Sequence, residues 1–305
     1  MLDAWGDHPA VTETLAEASE ALGEDIGALI QNGPKEALAL TTNTQPVMLV
    51  AGVAAWRAWR AEGGENPAAV AGHSLGEYSA LVAAEVLTLA QAAPLVRFRA
   101  AAMQDAVPVG EGAMAAILGL DAEKVIAGCA EATQAMGAGS PEIVEAVNFN
   151  DPAQTVIAGS KAAVDKACEV LKSMGARRAL PLPVSAPFHS SLMKPAAEKL
   201  REKLADIQLS SPRIPVVNNV DVAIEDEPAR IRDALYRQAF GPVRWVECVR
   251  KIKAMGINTL VECGPGKVLA GMVKRIDAEL AGVALYDPGT LAETKTLVEG
   301  IAGRN

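Results

Sequence analysis

The 305-residue chain is half hydrophobic, only 4% aromatic, and carries a formal net charge of -9. That length can bury a large core in one big domain or two modest ones, and the acidic balance argues against a nucleic-acid or anionic-membrane surface, which needs clustered Lys and Arg. Cys129, Cys168, Cys248 and Cys263 form no CxxC pair, which argues against a disulfide framework or zinc site and fits a reducing cytoplasm.

The opening MLDAWGDHPAVTETLAEASEAL is acidic and helical in period over 9–23, without the basic and apolar runs of a secretory leader. A second helix is expected over 46–61, opening at Gln45-Pro46 because proline suits a first turn. Its LVAGVAAWRAW carries an arginine, and no apolar run approaches the about 20 residues that span a bilayer. PAAVAG at 67–72 reads as a strand leading through Gly72 into the helix SLGEYSALVAAEVL, and a further helix covers 91–106.

From 113 to 183 the pattern alternates: AMAAILGL is a strand, 121–135 a helix, EIVEAVNF and QTVIAG strands, 161–174 a helix and ARRALPLP a strand. The order βαββαβ defines a ferredoxin-like unit. Beyond it come a helix at 191–206, the strand IPVVNNV, a helical stretch at 228–255 broken at Gly241-Pro242, the strand INTLVECGPG, a helix from Lys267 and the strand GVALY. Strands alternating with helices imply an α/β large domain with a mainly parallel sheet, spanning 1–112 and 185–305 and interrupted by the ferredoxin-like subdomain at 113–184.

Ser74 lies in Gly72-His73-Ser74-Leu75-Gly76, a G-x-S-x-G pattern between a strand and a helix, the setting of a nucleophile elbow. Ser74-Leu75-Gly76-Glu77 is equally an S-x-x-E capping box, although a cap needs no glycine on both flanks. In the elbow reading the Leu75 N–H is one oxyanion donor.

A serine nucleophile needs a base, and the chain holds only His8, His73 and His189. His73 projects away from its neighbour Ser74 along a strand end, and His8 lies in a polar helical lead-in, so both read as structural or solvated. His189 sits in the proline-rich loop PVSAPFHSSLMKP, where the inserted unit returns to the large domain and a cleft is expected. No acid presents itself as a third member. Arg99 shares its helical stripe with Leu95, Ala102, Met103 and Ala106, which turns a guanidinium inward, while Arg97 falls on the other face and reads as solvated. An inward guanidinium can hold a carboxylate through two parallel hydrogen bonds, or pair with a structural acid.

With these residues in place the chain resembles the malonyl-CoA:acyl-carrier-protein transacylases of bacterial type II fatty-acid synthesis, from the first residues to about 287. The stretches that carry the resemblance are TQPVMLVA, GHSLGEYSALVAA, GAMAAILGL, VNFNDPAQTVIAG, LPVSAPFHSSLMKP, PVVNNVD and GPGKVLAGMVKRI. It implies a hydrolase-like large domain with the active site between it and the ferredoxin-like unit, Ser74 as acyl-accepting nucleophile, His189 as general base, Arg99 as clamp for the malonyl carboxylate, and Gln238 as the residue whose backbone carbonyl holds the histidine ring. Asn148 and Asn150 match positions lining the small-domain side of the cleft, and Phe188 with Leu75 accompanies malonyl over methylmalonyl selection.

The resemblance further implies a cytoplasmic monomer without a cofactor of its own: malonyl-CoA is a substrate, and the phosphopantetheine thiol belongs to the partner acyl carrier protein. That partner is acidic, so Arg177, Arg178, Lys194, Lys267, Lys274 and Arg275 are candidates for a basic rim. The family opens with an apolar strand and a G-Q-G-[ST]-Q loop that the quoted chain lacks. We expect both to be encoded upstream of Met1, the other reading being a shortened, impaired carrier-binding relative. A serine hydrolase or thioesterase is the remaining alternative, one that would need no carboxylate clamp and usually carries an acid in its triad.

Overall fold

A computed structural model describes residues 1–184 and 186–302, so Ser185 and 303–305, which belong to the expected 185–305 segment, lie outside it. Helices α1 (Pro9–Leu22), α2 (Ile26–Asn32), α3 (Lys35–Ala39) and α4 (Thr41–Ala61) precede β1 (Val70–Ala71), α5 (Gly76–Ala83) and α6 (Leu89–Asp105). Then follow β2 (Gly112–Leu118), α7 (Ala122–Ala135), β3 (Val144–Asp151), β4 (Gln154–Ser160), α8 (Lys161–Ser173) and β5 (Arg178–Pro181). The chain continues through α9 (Lys194–Ala205), β6 (Val216–Val217), α10 (Pro228–Phe240), α11 (Trp245–Ala254), β7 (Thr259–Cys263), α12 (Val268–Ile276), β8 (Ala281–Leu285) and α13 (Pro288–Ala302). Among the described residues no helix is long and apolar enough to cross a membrane.

The middle segment forms an antiparallel sheet in the order β3-β4-β2-β5, the βαββαβ arrangement implied by the sequence. Alternation along β2 divides its side chains: Ala115 and Ile117 join Val125, Ile157 and Leu171 under α7 and α8, while Met114 and Ala116 join Val147 and Val156 on the opposite face. Phe188 packs on that second face, which is how the sheet becomes one wall of a cleft.

Outside this unit the strands are parallel, as expected, but they form two pairs, β1 with β6 and β7 with β8. The pair β1–β6 is only two residues long because a side chain takes over from the ladder. Asn219 Nδ2 donates to the Gly72 carbonyl at 2.7 Å, and its Oδ1 accepts from the Ser74 amide at 2.8 Å. The amide of one asparagine thus replaces two backbone partners and frees the chain to turn.

Pro46 departs from the sequence expectation. Helix α4 begins at Thr41, so the proline lies inside it and cannot donate to the Thr42 carbonyl one turn back. That orphaned carbonyl accepts from Arg97 Nε at 3.3 Å, and Arg97 also forms an ion pair with Glu24. Arg97 is therefore half-buried and tied to neighbouring elements rather than solvated.

The middle unit is joined to the rest along β3. Val243 donates its N–H to the Val147 carbonyl at 2.7 Å and accepts from the Phe149 N–H at 3.0 Å, Asp151 pairs with Arg275 at 2.8 Å, and the Ser191 amide donates to Glu145 at 2.6 Å.

Candidate active site

The G-x-S-x-G stretch forms a sharp turn between β1 and α5, with Ser74 in the left-handed region at φ 53. A Cβ at position 72 would stand 1.9 Å from the Gly76 carbonyl carbon and oxygen, so only glycine lets the first turn of α5 fold back over β1. The second glycine differs: a Cβ at Gly76 would meet nothing within 4 Å. The capping box does not form. Leu75 holds the cap position without a side-chain bond, and Glu77 turns inward to accept from the Asn219 amide at 2.9 Å and Gln238 Nε2 at 3.1 Å.

His189 meets Ser74 from the other side of the cleft, Nε2 lying 2.7 Å from Oγ. Its Nδ1 is 2.8 Å from the Gln238 backbone carbonyl, which can only accept, so the ring proton sits on Nδ1 and Nε2 is free to accept from the serine hydroxyl. Burial, reinforced by the charge of Arg99, pushes the imidazole down to about 3 and keeps it neutral. A backbone carbonyl thus fills the place an acid holds in other serine enzymes.

The other two histidines are structural. His73 is half-buried against Trp245, its Nε2 2.7 Å from Asn150 Oδ1, and desolvation lowers its pKa. His8 caps α1 by accepting from the Ala10 amide. Asn150 Oδ1 is thereby committed to His73, and the cavity beside Ser74 is lined by Asn148 and not by Asn150.

Arg99 is 1% exposed on α6. Nη1 donates to Gln45 Oε1 at 2.6 Å, and Nη2 donates to Gln238 Oε1 at 3.0 Å and to Ser74 Oγ at 3.2 Å. The guanidinium lies over the Tyr78 ring at 5.4 Å. All three acceptors are neutral, so no structural acid occupies the fork. Arg99 Nε, Tyr78 Oη and Asn148 Oδ1 are buried without a hydrogen-bond partner among the described residues.

These side chains enclose a cavity of about 150 Å³ lined by Gln45, Ser74, Leu75, Arg99, Met103, Met114, Asn148, Phe188 and His189. The Leu75 amide has no acceptor among the described residues and stands next to Ser74. Sequence reasoning missed Gln45, Glu77 and Asn219: two lie in stretches already singled out, TQPVMLVA and PVVNNVD, and Glu77 was read as a cap. Nothing in their spacing announces contacts that span 54, 142 and 145 positions. Among the described residues no group of His, Cys, Asp and Glu could hold a metal ion.

A hydroxyl bonded to a neutral imidazole beside an inward cation defines an acyl-transfer site for an anionic acyl group. The acyl transferase domain family matches residues 6–285, and the chain belongs to that family. It is 52% identical over 296 residues to the malonyl CoA-acyl carrier protein transacylase of Salmonella typhimurium, covering 97% of this chain and 94% of that protein. Among solved structures it is similar to the acyl-carrier-protein S-malonyltransferase of Burkholderia pseudomallei, with a TM-score of 0.93 and 61% identity over 96% of this chain and 94% of that one. It is also similar to a malonyl-transacylase in complex with its type II PKS acyl-carrier protein, with a TM-score of 0.90 and 51% identity over 93% of this chain and 90% of that one.

Proposed function

We propose that this acyltransferase moves a malonyl group from malonyl-CoA to the phosphopantetheine thiol of an acyl carrier protein. The observation that carries this reading is the placing of Arg99 and His189 on either side of one hydroxyl, within 3.2 and 2.7 Å of Ser74 Oγ. His189 Nε2 takes the Ser74 proton while Oγ attacks the thioester carbonyl, and the Leu75 N–H receives the developing oxyanion. The C–S bond then breaks, and the departing CoA thiolate takes the proton from His189. The carrier thiol reverses these steps, giving a ping-pong cycle that regenerates Ser74.

Arg99 holds the free carboxylate and so selects dicarboxylic acyl groups. It also depresses the basicity of His189, and a carboxylate bound to the guanidinium offsets that charge, so the base strengthens when the matching acyl group is in place. Phe188 and Leu75 line the acyl pocket and disfavour a branch at the α-carbon, and Asn148 lines its small-domain side. Asn150 acts through His73.

The same reading takes 1–112 with 185–305 as the large domain and 113–184 as the small one, and places a monomer without a cofactor of its own in the cytoplasm, feeding fatty-acid synthesis. The six expected basic-rim residues are all exposed, with Arg275 held by Asp151. The test is intact-protein mass after brief exposure to malonyl-CoA: a malonyl-sized adduct on the parent chain and none on Ser74→Ala. An adduct on both would move the nucleophile elsewhere.

A further inference from the structure

Two opposite charges are buried beneath the Ser74–His189 pair, Arg99 on α6 and Glu77, 2% exposed, on α5. They do not touch. The Gln238 carboxamide stands between them, its Oε1 accepting from Arg99 Nη2 at 3.0 Å and its Nε2 donating to Glu77 Oε2 at 3.1 Å. Chemistry sets the amide this way round, because a guanidinium only donates and a carboxylate only accepts. The Asn219 amide supplies a second donor to the same Glu77 oxygen at 2.9 Å.

A carboxylate bonded directly to Arg99 would cover the N–H edge that an acyl carboxylate needs. Here the near edge carries only neutral oxygens, Gln45 Oε1 at 2.6 Å from Nη1 and Ser74 Oγ at 3.2 Å from Nη2, which an anion can displace. We propose that Glu77 is a positioning residue, the remote counter-ion of Arg99, held off by the Gln238 carboxamide so that the guanidinium stays buried yet open to the carboxylate of a dicarboxylic acyl thioester. The inference rests on the clamp reading of Arg99 given above.

The arrangement links acyl binding to protonation. Glu77 faces Arg99 from α6, Asp221 from the turn after β6, Cys248 from α11 and Tyr78 on its own helix; Asp221 is itself paired with Arg237 at 2.6 Å. Burial raises the carboxyl to about 7, against the lowering effects of the Asn219 amide, Gln238 and Arg99. A second carboxylate on Arg99 weakens that last attraction and adds a like charge nearby, so Glu77 takes up a proton as malonyl-CoA binds. Binding therefore tightens as pH falls.

The test is the pH dependence of KM for malonyl-CoA and for acetyl-CoA in transfer to a carrier protein between pH 6 and 8.5. Acetyl-CoA carries the same phosphates, so it controls for their titration. In the parent, KM for malonyl-CoA should fall roughly three- to tenfold from pH 8 to 6 with kcat little changed, and KM for acetyl-CoA should not. Glu77→Gln should abolish the slope and hold KM at pH 8 near the parent's low-pH value, a split that loss of packing alone would not produce. Equal slopes for the two thioesters in the parent, or an unchanged slope in Glu77→Gln, overturn the counter-ion role while leaving the clamp intact. If Glu77→Gln does not fold, the parent's two slopes decide. A parent that forms no malonyl adduct overturns the clamp reading and this inference with it.

Discussion

Ser74 Oγ and His189 Nε2 lie 2.7 Å apart, and both residues hold left-handed backbone, φ 53 and 65. Neither is glycine, so each conformation costs about 1 kcal/mol or more and persists only where surrounding bonds impose it. Asn219 imposes it at Ser74 through the residue's own amide and the Gly72 carbonyl, and the Gln238 carbonyl holds the His189 ring. The hydroxyl and imidazole are thus brought together by two strained turns facing one another.

The two glycines of the elbow should behave differently. Gly72→Ala drives a methyl into the Gly76 backbone at 1.9 Å, and a clash with backbone cannot be relieved by a rotamer change, so a loss of about 4 kcal/mol or a failure to fold is expected. Gly76→Ala meets open space at the start of α5 and should leave stability within about 1 kcal/mol, on the favourable side for helix propensity. Urea denaturation of the two variants checks this. Equal losses would mean that the close approach at Gly72 is not what the turn depends on.

Stability should carry two opposed pH terms. His189, held at about 3 against its ordinary 6.5, contributes stability that is complete above 6.5 and is lost as pH falls toward 3, because the unfolded chain binds that proton first. Glu77, raised from 4.5 to about 7, contributes stability that is complete below 4.5 and is lost as pH rises through 7. Glu77→Gln removes only the second. The stability of the variant relative to the parent should therefore increase steadily from pH 4.5 to 7.5, read from urea midpoints at each pH; a difference that stays flat would place the Glu77 titration outside that window.

What the sequence made legible was local. The βαββαβ order, the break at Gly241-Pro242 and the turn at Ser74 follow from residue periods and from proline and glycine, each acting within a few positions of itself. The inward face of Arg99 is likewise a matter of helical spacing. What escaped depends on distant partners: Asn150 Oδ1 is taken by His73, a contact 77 positions away. The elbow's support from Asn219, and the rescue of the Thr42 carbonyl by Arg97, arise only when the chain has packed.

Arg99 gives a sharper test of selectivity than of rate. Its fork bonds Gln45 and Gln238 with different nitrogens, a geometry that a lysine ammonium cannot reproduce. Arg99→Lys should lower malonyl transfer roughly ten- to a hundredfold, the range of a charge-assisted pair, and Arg99→Ala should accept acetyl groups relatively better. Because either change also leaves buried amide oxygens unpaired, the ratio of malonyl to acetyl transfer is the quantity to measure. An unchanged ratio in Arg99→Ala would refute the clamp.

Phe188 is fixed from two directions, packed on Met114, Val147 and Val156 of the sheet face and on Met103 and Met193 of the helical side. With contacts on both sides, the ring is held beside the cavity it shares with Leu75, where it would stand against an α-methyl on the acyl group. Phe188→Ala removes the ring, and the specificity constant for methylmalonyl-CoA relative to malonyl-CoA should rise about 10- to 200-fold, the span of 1–3 kcal/mol that a methylene-sized difference supplies. Phe188→Leu retains much of the bulk and should move the ratio less. If the alanine variant remains folded and the ratio does not move, discrimination at the α-carbon rests on Leu75, whose position next to Ser74 leaves it as the other apolar contact available to that methyl.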